Sequence, residues 1–198
     1  MSDPRVISLS DLNQLGNTAP SRRQALVNGY AARLDEPFDP ALWYWRRLHT
    51  GIARIARGDP HGDVRRYLTC GQKPDRAANF EAGLDSLLDW VTAEQVQFLP
   101  RLIHQRWIHD GLEVRLAPEL HCQVAGERHV IKLHLKKHER IQLDDVRPGI
   151  AALEAVHGPK GAYLDLFGNT LVSAPRPMST RRIEALAAEA QRMWPNAA

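Results

Sequence analysis

Three observations in the sequence predict an α+β fold. Apolar residues recur at helical spacing through the first half of the 198-residue chain and alternate with polar ones from about residue 102 to residue 136. Turn signals at Asp110-Gly111, Ala125-Gly126-Glu127 and Gly168-Asn169 punctuate the alternating part. Helical spacing then returns from residue 148 and again near the C-terminus. These patterns place a helical N-terminal region at 1–95. A mixed or antiparallel sheet with flanking helices follows at 96–198, in one continuous domain.

Each element has a local reason. Pro20, behind Asn17-Thr18, starts a helix whose apolar positions are Ala25, Leu26, Tyr30 and Leu34, and EPFDP at 36–40 stops it. Asp39-Pro40 opens a second helix through Leu42, Trp45, Leu48, Ile52 and Ile55, closing at Gly58. A short helix is expected at 63–68 and a longer one at 75–91, with Phe80, Leu84, Leu87, Leu88 and Val91 on its inner face. Strands at 102–109 and 112–116 flank Asp110-Gly111, which suits the two positive φ angles of a type I′ hairpin turn. A helix at 148–156 ends at Gly158-Pro159, and a hairpin of 162–167 with 170–172 turns about Gly168-Asn169. The last helix uses Met178, Ile183, Leu186 and Met193, with Trp194 near its end.

Composition bounds the function loosely. Net charge is +3, and the surplus lies in residues 99–198, with 14 basic against 11 acidic side chains. Three of the five lysines fall within 132–137. Cys70 and Cys122 are far apart and show neither CxxC nor finger spacing, which argues against a disulfide framework or a zinc finger. No apolar run resembles a signal peptide or a membrane span, so a cytoplasmic protein with no membrane partner is expected. GxGxxG, Walker A, GxSxG and kinase motifs are absent.

The stretch from Gly111 to Arg140 concentrates the chemistry. Alternation puts Leu112, Val114, Leu116, Leu120, Cys122, Val124, Ile131, Leu133 and Leu135 on apolar faces, which makes Cys122 a core residue. Glu119, His121 and Gln123 of one strand and Lys132, His134 and Lys136 of the next take the opposite side. Carboxylate, imidazole and amine on one sheet face can bind a metal or a phosphate, and a solvated sheet face has the same composition. His121 and His134 could face each other across a strand pair and, with Glu119, form a transition-metal site. Arg128, Lys132, Lys136, Lys137 and Arg140 could track a phosphate backbone, although Glu113, Glu119, Glu127 and Glu139 dilute them. Trp43-Tyr44-Trp45 point three ways from a helix, so core packing is expected of most of them, with one ring left for a partner.

Two resemblances rest on these residues. Pro118-Glu119, Lys132 and the helix–β–β–β–helix–β order over residues 75–172 resemble the PD-(D/E)XK nuclease superfamily, which implies a restriction-endonuclease-like fold. The acidic half of that motif is missing, because the positions two before Lys132 and Lys136 are Val130 and His134. That substitution removes a metal ligand. The phrase PEL…AGERHVIKLHLKK, with Glu119, Gly126, His129, Lys132 and Lys136, is also similar to a set of uncharacterised proteins from high-GC Gram-positive bacteria.

The expected function is a non-catalytic, nuclease-like module that binds a nucleic acid or phosphorylated partner. Its binding residues are Glu119, His121, Lys132, His134 and Lys136, with no catalytic residue and no metal ligand assigned. One alternative is a metal-dependent phosphodiesterase or nuclease using the same face. The other is a protein–protein adaptor acting through the helical half. The sequence names no cofactor and no oligomeric state.

Overall fold

The first element of the described residues is one that the helical reading of the first half omits. In the computed structural model, which describes residues 5–33, 44–100, 102 and 106–195, β1 (Arg5–Ser8) runs straight into α1 (Leu9–Asn17). Ser8 caps α1 by accepting from the Asp11 N–H, and the Asp11 carboxylate accepts from the Ser8 N–H, a reciprocal pair that starts a helix with no proline signal. The helices α2 (Pro20–Ala32), α3 (Arg46–Ile55), α4 (His61–Thr69) and α5 (Pro74–Ala93) follow. Leu34, the EPFDP stop, the Asp39-Pro40 start, Leu42 and Trp43 lie outside the described residues, as do 103–105 of the first expected strand.

The strands form two mixed sheets, and the class is α+β. Short β2 (Gln97–Phe98) precedes β3 (Arg106–His109), β4 (Leu112–Arg115), β5 (Leu120–Val124) and β6 (Glu127–His134). The β3–β4 hairpin pairs His109 with Leu112 across Asp110 (φ +48) and Gly111 (φ +80), the two positive φ angles of the expected turn. This hairpin does not continue into β5. It joins β1 in a sheet of order β1-β4-β3, with β1 parallel to β4. The second sheet has the order β2-β5-β6-β7-β8, where β7 (Lys160–Asp165) is parallel to β6 and β8 (Thr170–Ser173) returns antiparallel.

Between β6 and β7 runs α6 (Leu143–His157), which begins five residues before the expected start at Pro148. Pro148 therefore lies inside the helix, where it supplies no N–H and crowds the preceding turn. Helix α1 packs on this defect. The Gly149 N–H donates to Asn13 Oδ1 at 2.6 Å, and the Asp145 carbonyl accepts from Asn17 Nδ2 at 2.7 Å. Gly16 comes so close that a Cβ there would lie 2.5 Å from the Pro148 ring. Asn13 also donates to the buried Tyr163 hydroxyl on β7 at 2.8 Å, tying α1, α6 and the large sheet together.

Two apolar clusters result. One holds Leu12, Leu15, Val114, Leu116, Val130, Ile150, Tyr163, Leu186 and neighbours, between α1, α2, α6, α7 (Arg181–Met193) and the small sheet. The other packs Leu48, Ile52, Phe80, Leu84 and Leu87 of α3–α5 against Leu120, Cys122, Ile131, Leu133 and Leu164 of the large sheet. Adjacent residues Val130 and Ile131 fall in different clusters, as period-2 alternation through a two-sided sheet requires. Tyr44 and Trp45 pack on Phe80, so these two rings line the second cluster.

Candidate functional site

The residues just before β5 set the geometry. Ala117 has φ +39, a strained conformation for a residue with a Cβ, and Pro118 follows it. Lys132 Nζ, reaching from β6, donates to the Ala117 carbonyl at 2.9 Å. Glu119 is then aligned with Lys132 one step beyond the Leu120–Ile131 pair, and its N–H donates to the Ile131 carbonyl at 3.0 Å.

The Glu119 carboxylate is enclosed by donors. Oε1 accepts from Lys132 Nζ at 2.6 Å and lies 3.1 Å from His49 Nδ1 of α3, while Oε2 accepts from the Leu133 N–H at 2.8 Å. Burial pushes the Glu119 pKa up, but the His49 hydrogen bond and the Lys132 charge outweigh it, and the net shift is below the ordinary carboxylate value. Both carboxylate oxygens are occupied. A cation approaching Glu119 would meet the Lys132 ammonium already paired with Oε1, and would find an acceptor position only on Oε2 beside the Leu133 N–H.

Beside Glu119 lies a cleft of about 510 Å³, within the range of small-molecule sites. Strand β2 pairs with β5 at Gln97–Gln123 and Phe98–Cys122, and past its end the Leu99 N–H still donates to the His121 carbonyl at 2.8 Å, which brings the 98–100 segment along the start of β5. Ala53 of α3, Ala56 and Arg57 of the turn that closes it, and Phe98–Leu99–Pro100 and Leu102 wall the space above Pro118, Glu119, Leu120 and His121. His49 and Ala53 on α3 and Arg57 in the turn that closes it follow at four-residue steps, adjoining the core face of Leu48, Ile52 and Ile55. The alanines leave room that larger side chains would fill. Arg57 is exposed, and among the described residues it has no carboxylate partner.

The expected site residues separate into two groups. Glu119 and Lys132 come together, and His121 lines the same cleft. His121 and His134 do not face each other, contrary to the sequence expectation. His121 is opposite Val130, and His134 lies four residues further along β6, about 13 Å at the usual strand rise. His134 Nε2 is instead hydrogen-bonded to the Glu139 carbonyl, and Lys136 lies beyond the strand, exposed and paired with Glu139 at 2.7 Å. Among the described residues no three His, Cys, Asp or Glu side chains are grouped to hold a metal ion. His129 is buried, and Cys122 is a core thiol whose pKa burial pushes up to about 12.

The basic stretch is largely neutralised. Lys132 pairs with Glu119, Lys136 with Glu139, Arg140 with Asp165 and Lys160 with Glu127. His49, Arg57 and the cleft itself were not foreseen from the sequence. Their only signal was the His49–Ala53–Arg57 stripe beside a clear core face. Comparison with known proteins adds no identity: no family model matches the chain, and no curated protein or solved structure matches it significantly.

Proposed function

We propose that this chain is a non-catalytic binding module that takes a small phosphorylated or similarly anionic molecule in the cleft beside Glu119. The observation carrying this reading is the Glu119 carboxylate, whose two oxygens are occupied by His49, Lys132 and the Leu133 N–H. A nuclease of the type the sequence resembles needs that carboxylate open to a cation, with an acidic partner nearby. Here the position two before Lys132 is Val130, fully buried in the apolar cluster. The order α5–β2–β5–β6–α6–β7 supports a nuclease-like ancestry, because it fits the helix–β–β–β–helix–β pattern once the β3–β4 hairpin is treated as an insertion. No helix among the described residues is long and apolar enough to cross a membrane.

Charge favours an anion. Lys132 and Glu119 cancel, and Arg57 leaves the cleft with a positive surplus. A small ligand fits better than a nucleic acid, because a polyanion needs a row of unpaired cations and the lysines of this face already hold carboxylates. The apolar walls Phe98, Leu99, Pro100 and Leu120 call for an apolar body attached to the anion.

Calorimetric titration with phenyl phosphate, compared with a single-stranded oligonucleotide, tests this. Phenyl phosphate should bind, and Arg57→Ala should weaken it about tenfold or more, the usual worth of a charge-assisted hydrogen bond. Binding of the oligonucleotide alone, or phenyl phosphate binding indifferent to Arg57→Ala, would refute the proposal.

A further inference from the structure

We propose that the free edge of β3 is a self-association surface, on which a second copy of this chain lays its own β3 antiparallel and joins the two small sheets into one. The strand shares no residue with the Glu119 cleft, so this surface is separate from that site.

The two sheets have four outer strands, β1, β3, β2 and β8. An open edge is a template for another strand, and proteins usually blunt it. Strand β2 is two residues long and Pro100 follows shortly after it, while Pro175 and Pro177 lie just past the end of β8. In β1, Val6 and Ile7 are buried and the chain turns directly into α1. Strand β3 has none of these devices. Trp107 packs one of its faces on the first apolar cluster, and the other face carries Ile108, 58% exposed and the one exposed large apolar side chain among the described residues.

The hairpin decides which backbone groups face outward. His109 and Leu112 flank the two-residue turn and bond each other across the ladder, so alternation turns the N–H and C=O of Ile108 and Arg106 towards the free edge. Among the described residues nothing bonds them there. A two-fold axis at Ile108 uses these groups, because Ile108 then exchanges both bonds with its own copy. The same register sets Arg106 opposite Asp110 of the second copy, and by symmetry does so twice. Both side chains are open to it, at 66% and 63% exposure. Moving the axis to Trp107 would set Arg106 against Ile108, and moving it to Arg106 would oppose like charges. Only the axis at Ile108 joins opposite charges and covers both isoleucines. A strand of four residues buries too little for a permanent dimer, so the association is weak and concentration-dependent.

Sedimentation velocity on the whole chain from about 10 µM to about 1 mM should show a dimer growing with concentration. Ile108→Lys, its fold verified by circular dichroism, should weaken the dimer about tenfold or more, since two ammonium groups then meet at the axis. Cys70→Ser removes the exposed native thiol. In that background Ile108→Cys should oxidise to a disulfide-linked dimer, because directly opposed Cα atoms lie about 5.5 Å apart, within disulfide reach. Arg106→Cys should not, since the two copies of residue 106 stand about 13 Å apart along the strands. A monomer at every concentration, a dimer indifferent to Ile108→Lys, or cross-linking of Arg106→Cys as efficient as that of Ile108→Cys would overturn the inference.

Discussion

Lys132 Nζ lies 2.6 Å from Glu119 Oε1, and the two side chains are only 19% and 10% exposed. The pair therefore works inside the protein, where an abandoned partner is expensive. Lys132 also holds the carbonyl of the strained Ala117 turn, so the pair fixes the wall of the cleft as well as neutralising itself.

Breaking this pair from one side should destabilise the protein. Glu119→Ala strands the Lys132 ammonium and the Leu133 N–H, and a loss of about 3 kcal/mol is expected in urea unfolding. Glu119→Gln keeps an acceptor for Leu133 and should cost less. Equal stability of Glu119→Ala and wild type would show that the pair is not a structural element.

The pH dependence has a definite sign. The folded Glu119 pKa lies below its unfolded value, so the unfolded chain takes up a proton first as pH falls. The stability this carboxylate contributes is complete above the ordinary carboxylate pKa and is lost as pH drops through the depressed one. His129 acts at higher pH. Burial lowers its pKa below the usual 6.5, the Lys160 charge lowers it further, and Glu127 opposes both. Stability should thus decline from about pH 6.5 downward as the unfolded imidazole protonates. Denaturation midpoints measured in steps from pH 7 to pH 5 should fall for wild type and stay flatter for His129→Gln.

The α1–α6 contact makes a separate prediction. Asn13→Ala leaves the Tyr163 hydroxyl and the Gly149 N–H without this partner in the interior, and about 2–3 kcal/mol should be lost. Gly16→Ala forces a methyl against the Pro148 ring and should cost about 1–3 kcal/mol. Pro148→Ala in the Gly16→Ala background should recover part of that loss. Thermal unfolding of these variants and of Pro148→Ala alone checks all of this, and additive effects of Gly16 and Pro148 would disprove the contact.

Thiol chemistry distinguishes the two cysteines. Cys70 is exposed, whereas Cys122 is buried with its pKa pushed up to about 12. Under native conditions an aromatic disulfide reagent should titrate one thiol quickly, and the second only on unfolding. Rapid reaction of both would contradict the core position of Cys122.

Local signals were legible where they specify geometry by themselves. Asp110-Gly111 and the alternation from Leu120 to Leu133 determine a turn and the two faces of a sheet within a few residues. The separation into two sheets was not legible, because Leu116 continues the apolar alternation while Ala117-Pro118 breaks the ladder. Pro148 looked like a helix start because an interior proline is normally excluded. Asn13, Gly16 and Asn17, distant in sequence, accommodate it. Glu119 and Lys132 could be placed on one face from spacing alone, but His49 reaches Glu119 only through the packing of α3. The cleft was invisible for a related reason: it is space left by alanines and by a strand two residues long.

A cleavage assay tests most directly whether the occupied Glu119–Lys132 pair is a structural and not a catalytic group. Purified protein is incubated with Mg²⁺ or Mn²⁺ and single- or double-stranded DNA and RNA, beside Glu119→Ala with its fold verified by circular dichroism. The account predicts no cleavage by either protein under any of these conditions. Cleavage by the wild type that disappears in the folded Glu119→Ala variant would contradict it.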